Sequence, residues 1–182
     1  MHCCSLEKGH GKRIHFANNY MFDDDQNIKA IREGVKSLCL MFPNEYWREK
    51  DRKRTYPSEF VKALSDHGYL GCLIPEEYGG SGLKLSAAAV ILEEIHNSGG
   101  NGAACHAQMY IMGTLLRHGS DEQKKRYLPG IAEGSLRLQA FGVTEPDSGT
   151  DTLALKTTAR KDGDSYIING QKVWTSRAEH SD

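Results

Sequence analysis

After Gly134 the hydrophobic rhythm of this chain changes, and that change constrains the fold more than any other feature. Before it, apolar residues recur every three or four positions. After it, Leu136, Leu138, Ala140 and Val143 follow an approximate two-residue rhythm. Helical segments therefore come first and strands afterwards. A segregated order predicts an α+β fold and argues against the alternating units of a Rossmann domain.

The helical part is punctuated as such chains require. From Asn27 a helix is carried by Ile28, Ile31, Val35 and Leu38, and Pro43 ends the run. Residues 48–54, rich in Arg and Lys but interrupted by Glu49 and Asp51, read as a solvated connection. Pro57 opens a helix with Phe60, Val61 and Leu64 inward, and Gly68 is placed to end it left-handed. Gly79, Gly80 and Gly82 invite a phosphate-loop reading. No Lys-Ser/Thr pair follows them, so a turn crossing closely over the backbone is the better account. Ser86 is placed to cap a helix running to Asn97, whose Glu93 and Glu94 read as solvated. A broadly apolar helix over Ala103 to His118 puts His106 and Gln108 in or near the interior. Ser120 starts another segment to Glu133, which Pro129 should kink or end. The pattern amounts to about four helices.

Past Thr150, residues 153–160 read as a strand. Asp162-Gly163-Asp164 is a hairpin turn, Tyr166-Ile167-Ile168 pairs back, and Asn169-Gly170 leads to a strand over residues 172–176. Four short strands without a further partner leave open edges, so this β segment reads as unfinished. The expected organisation is a mobile tail over 1–26, an all-helical N-terminal domain over 27–138, and the start of an antiparallel β-barrel-like domain over 139–182.

Composition removes several classes of function. The 182 residues carry a net charge of −1, which predicts no general affinity for nucleic acid. No run approaches the roughly 18 apolar residues of a membrane span. Five scattered cysteines, an odd number, favour a reducing compartment. In the tail, His2, Cys3, Cys4, His10 and His15 match no common zinc spacing, so no metal is expected there.

Two stretches carry chemistry. Phe141-Gly142-Val143-Thr144 feeds Glu145-Pro146-Asp147-Ser148-Gly149-Thr150, a polar turn whose amides and hydroxyls suit an anion. Val173-Trp174-Thr175-Ser176 adds a flat aromatic and two hydroxyls. A flavin needs hydrogen bonds at its ring edge, an apolar wall and donors for its diphosphate. Taken alone, Trp174 reads as a core aromatic and the turn as an ordinary turn.

Together and in this order, they resemble the acyl-CoA dehydrogenase family. The matching residues are 143–146, 148–151 and 166–176, with 73–82 and 119–124 upstream, and the resemblance covers the chain from about residue 27. Asp147 and Thr175 depart from the family pattern, which commonly has Gly and Ile there. The resemblance implies a helical domain, a middle β domain and a C-terminal helical bundle, with FAD between the last two. It implies removal of the α proton of an acyl-CoA by a carboxylate and transfer of the β hydride to flavin N5. FAD contacts are then expected from Phe141, Gly142, Val143, Thr144, Ser148, Gly149, Thr150, Trp174, Thr175 and Ser176. Thr150 also lies near the acyl-CoA, and residues 108–112 near the acyl chain. The catalytic glutamate is expected in the bundle, outside this chain, and Glu145 is not a substitute. The chain alone is then not competent.

The same resemblance implies an electron-transfer flavoprotein as acceptor, a homo-oligomer at full length, and a role in fatty acid β-oxidation. The location would be mitochondrial in a eukaryote and cytoplasmic in a bacterium. The alternatives are a non-catalytic interaction isoform and a fragment of an acyl-CoA oxidase or flavin monooxygenase.

Overall fold

The computed structural model describes residues 26–182. The expectations for the N-terminal tail, its Cys and His residues included, lie outside the described residues. Six α-helices come first: α1 Gln26–Cys39, α2 Asn44–Lys53, α3 Ser58–Asp66, α4 Leu85–Asn97, α5 Ala103–His118 and α6 Asp121–Glu133. Among the described residues one hairpin follows, β1 Thr158–Asp162 and β2 Ser165–Asn169. The expected α+β class holds.

The periodic apolar residues form the core. Ile28, Val35, Leu38 and Cys39 face inward from α1, and Phe60, Val61 and Leu64 from α3. Ile91 and Ile95 of α4, Met109 and Met112 of α5, and Leu128 and Ile131 of α6 meet all of these but Ile28 in one cluster, and Ile28 packs with Ala87 and Val90 in a second. Fully burying a side chain such as Leu64 or Ile91 stabilises the fold by about 1.5–3 kcal/mol. Ala87 and Ala88 are buried, which allows α1 to pack closely on α4.

Several local expectations change. Residues 48–53 are not a connection but most of α2, which has no buried residue of its own. It is held instead by its first turn. Tyr46 and Trp47 join Phe42 and Phe60 in edge-to-face contacts with ring centroids 4.8 to 5.1 Å apart. Leu85 begins α4 and Lys84 is its N-cap, so Ser86 lies inside the helix. Glu94 is not solvated: it is buried against Arg32 of α1, which also pairs with Glu93 at 2.9 Å. His106 is exposed, edge-on to Tyr110, while Gln108 is fully buried. Pro129 does not end α6, which continues to Glu133. That helix opens on a complete capping box between Ser120 and Gln123.

The β region departs furthest from expectation. β1 and β2 pair antiparallel, with Asp162 opposite Ser165 and Thr158 opposite Asn169, across the Gly163-Asp164 turn. All ten strand residues are exposed. Residues 152–154 form a 3-10 turn, and neither 136–143 nor 172–176 is a strand. Leu136 and Leu138 do pack on the helical core, which explains their alternation. Their backbone, however, bonds to side chains: Arg137 N–H to the Asp182 carboxylate at 2.8 Å, and Gln139 N–H to Ser181 Oγ at 3.0 Å.

Candidate functional site

The site grows from a buried carboxylate. Glu145 and Ser148 exchange both backbone hydrogen bonds, N–H to carbonyl at 2.8 and 3.2 Å, closing the turn that Pro146 and Asp147 span. The Ser148 hydroxyl donates to the Asp151 carbonyl, which fastens the far side of the turn. The Glu145 residue is 6% exposed. One carboxylate oxygen accepts from Lys156 N–H at 2.6 Å. The other accepts from Thr157 N–H and from Lys172 Nζ, both at 2.9 Å. Lys172, then Thr157 and Lys156, hold this carboxyl well below its usual range, at about 2. An acid this strong is ionised at neutral pH and is a poor proton acceptor.

Lys172 also donates to the Val143 carbonyl at 2.9 Å, and Val173 N–H donates to the Thr144 carbonyl at 2.8 Å. These bonds lay residues 172–176 alongside residues 141–144. A Cβ built on Gly142 would stand 3.5 Å from Thr175 Oγ1, so the two stretches are in van der Waals reach. Phe141 is 53% exposed and edge-on to Tyr110, with centroids 5.5 Å apart. Trp174 is 86% exposed, at φ +61°. It is neither a core aromatic nor a strand residue. Its left-handed backbone is incompatible with the strand expected over residues 172–176.

The expected residues thus fall into two groups. Phe141, Gly142, Val143, Thr144, Trp174, Thr175 and Ser176 lie on two adjoining stretches. Ser148, Gly149 and Thr150 lie on the Glu145 turn. Within that turn the donors differ in availability. Ser148 uses both its amide and its hydroxyl internally. Gly149 and Thr150 are exposed, and neither amide donates a hydrogen bond among the described residues. Exposed aromatics on the two stretches and free backbone donors on the Glu145 turn are the kinds of group that a flat cofactor carrying a diphosphate needs.

Sequence reasoning missed the organising role of Glu145 and Lys172. Their separation of 27 residues hides the pairing, and only the bury-a-charge rule, applied to a Glu inside an apolar-flanked turn, hints at a cationic partner. It also missed a polar chain beneath the site. Tyr56 Oη donates to Gln139 Oε1 at 2.6 Å, and Gln139 Nε2 donates to Gln108 Oε1 at 3.2 Å. Gln108 Nε2 has no hydrogen-bond partner among the described residues, although Gln108 and Gln139 are both fully buried. Met109 and Met112 are buried beside it, and Tyr110 and Ile111 half-buried.

Two clefts of about 600 and 370 Å³ lie on the helical part, one beside Trp47, Arg54 and His96, the other beside Cys39 and Glu94. Neither includes residues of the two stretches, which form an open surface. Among the described residues no group of three His, Cys, Asp or Glu side chains is placed to hold a metal. No helix among them is long and apolar enough to cross a membrane.

Comparison with known proteins gives one answer. Residues 25–135 match the family model of the acyl-CoA dehydrogenase N-terminal domain, and residues 140–182 match that of the middle domain. The acyl-CoA dehydrogenase FadE12 of Mycobacterium tuberculosis is 40% identical over 156 residues, covering 85% of this chain and 40% of its own. A glutaryl-coenzyme A dehydrogenase solved with glutaryl-CoA superposes with a TM-score of 0.77 at 31% identity, over 88% of this chain and 42% of its own. A chain from the structure of the electron transferring flavoprotein of Acidaminococcus fermentans gives 0.79 at 29% identity, over 88% and 43%. The chain therefore spans about two fifths of the length of the relatives it matches. With both domain models matched in order across the described residues, the chain belongs to the acyl-CoA dehydrogenase family.

Proposed function

We propose that this chain supplies the helical domain and the cofactor-binding opening of the middle β domain of an FAD-dependent acyl-CoA dehydrogenase. The observation that carries the reading is the side-by-side placement of 141–144 and 172–176, with Phe141 and Trp174 exposed on them and Gly149 and Thr150 exposed on the turn that follows Thr144. FAD, when bound, supplies a hydride acceptor at N5. Phe141 and Trp174 would hold its ring, Thr144, Thr175 and Ser176 would offer hydroxyls to the ring, and Gly149 and Thr150 would offer backbone donors to the diphosphate. Ser148 shapes that turn. Thr150 also borders the acyl-CoA.

Proton abstraction needs a free carboxylate, and the two buried ones here are engaged. Glu94 is paired with Arg32, and Glu145 with Lys172 and two amides. Neither is free to act as the base, and the role we assign to residues 26–182 is to bind and orient. The acyl substrates of the relatives and an electron-transfer flavoprotein as acceptor are the partners this reading implies, with a homo-oligomer as the assembly.

Titration of the chain with FAD, followed by flavin fluorescence, tests the reading. Saturable quenching that Thr144→Ala and Trp174→Ala weaken is the expected result. No saturable binding, or binding indifferent to both substitutions, refutes it. Supplying acyl-CoA to the FAD-loaded chain should leave the flavin oxidised. Reduction without added protein would place a base within this chain and overturn its reading as a binding and orienting part alone.

A further inference from the structure

We infer that Glu145 is the positioning residue of this cofactor surface: through Lys172 it sets the spacing between residues 141–144 and 172–176, and it makes no contact with the cofactor itself. The inference rests on the reading that these two stretches carry a flavin.

Three observations converge on it. Both carboxylate oxygens of Glu145 are occupied, and its side chain is nearly sealed from solvent. Three of its roughly four acceptor sites are filled. The donors come from separate parts of the chain: Lys156 and Thr157 lie 11 and 12 residues on, and Lys172 lies 27 residues on. One side chain therefore gathers the turn, the segment entering β1 and the segment leaving β2. Finally, Lys172 divides its ammonium between Glu145 and the Val143 carbonyl. The next residue on each strand of chain then forms the Val173 to Thr144 bond. The ion pair and the alignment of Thr144 with Trp174 are consecutive links.

The neighbouring ion pair, Lys156 with Asp147 at 2.8 Å, cannot substitute. Both partners are largely exposed, and an exposed pair contributes little. In the Glu145 pair one partner is buried, and removing the other leaves an uncompensated charge. Apart from the Val173 to Thr144 bond, no hydrogen-bonded ladder among the described residues holds residues 172–176 in place, since they are not in a strand.

The test uses the whole chain and three variants. Glu145→Gln keeps the shape but points an amide N–H at groups that are themselves donors. Lys172→Met removes the cation, and Lys172→Arg restores it. Amide hydrogen exchange at Lys156, Thr157 and Val173 reads the alignment, flavin fluorescence reads FAD affinity, and ellipticity at 222 nm reads the helical domain. Glu145→Gln and Lys172→Met should each quicken exchange at Val173 and weaken FAD binding by about tenfold, with helical ellipticity unchanged. Lys172→Arg should recover most of both. Unchanged exchange at Val173 in Glu145→Gln overturns the inference. So does wild-type FAD affinity in a variant whose Val173 has been freed, or an Arg variant no better than Met. Failure of the unmodified chain to bind FAD would instead sink the flavin reading, and the exchange measurement would still decide whether Glu145 sets the alignment.

Discussion

Replacing Gly80 by alanine should damage this protein far more than replacing its neighbour Gly79, although Gly79 has the less ordinary backbone. Gly79 sits at φ +84°, and an added Cβ meets nothing closer than Ala132 Cβ at 3.9 Å. Its cost is the left-handed conformation alone, about 1 kcal/mol. Gly80 has an ordinary φ but no room. A Cβ there would stand 2.1 Å from the Ile74 carbonyl oxygen and 2.4 Å from Ile74 Cβ. Relief requires the crossing segment to lift by about 1.3 Å to reach ordinary contact. That movement breaks the Gly82 N–H bond to Ile74 and the Leu83 N–H bond to Cys72, now 2.7 and 2.8 Å. Overpacking of about 1–3 kcal/mol and two hydrogen bonds of about 1 kcal/mol each give about 3–5 kcal/mol. Urea unfolding followed at 222 nm measures both variants. In a domain of this size about 1 kcal/mol moves the thermal midpoint by about 2–4 °C, so the two variants separate clearly. A Gly80→Ala variant no less stable than Gly79→Ala would refute the close-crossing account and reopen the glycine cluster to a ligand-binding reading.

Three further outcomes are expected. Glu145 has a folded pKa of about 2 against an ordinary 4.5; its contribution is therefore present above about 4.5 and lost as pH falls towards 2. Urea midpoints at about pH 6 and about pH 3 should differ more in the wild type than in Glu145→Gln, and equal differences would contradict the assignment. Tyr56→Phe should cost about 1–2 kcal/mol, because Gln139 Oε1 is left buried without its donor; an unchanged urea midpoint would show that the bond is not made in solution. Burial pushes the Cys72 thiol up to about 11 and raises Cys105 as well, so neutral-pH alkylation mapped by peptide mass spectrometry should spare both in the folded chain. Rapid labelling at either would contradict the packing around α5.

What the sequence made legible follows the range of the forces involved. Burial of a periodic stripe is a local signal, which is why α1, α3 and α5 fall where Val35, Leu64 and Met112 place them. The capping box at Ser120 is equally local. Helix α2 is not legible because none of its residues is fully buried, and its anchor is an aromatic cluster completed by Phe60 from the next helix. The alternation of Leu136 and Leu138 was real but misleading. It records packing on helices, while the backbone finds Ser181 and Asp182 instead of a strand. At the candidate site the residue types were legible and their division of labour was not. Ser148 looked like a phosphate donor until its bonds to Glu145 and Asp151 were seen. Trp174 looked like a sheet aromatic until its backbone turned left-handed.

The fastening of residues 181 and 182 to residues 137–140 has a topological consequence. Arg137 and Asp182 exchange hydrogen bonds across 45 residues, and the Tyr56 ring stacks on His180 at 4.3 Å to seal the same junction. The chain between them is a closed loop, and the β hairpin is its tip. Closing such a loop costs roughly 3 kcal/mol in chain entropy, and doubling its length adds only about 0.6 kcal/mol. The base, not the tip, therefore sets whether the loop forms. Extra residues inserted at the Gly163-Asp164 turn would lengthen the tip while leaving the junction, and the alignment of Thr144 with Trp174, undisturbed. In this chain the hairpin turn is the place where length is cheapest to vary.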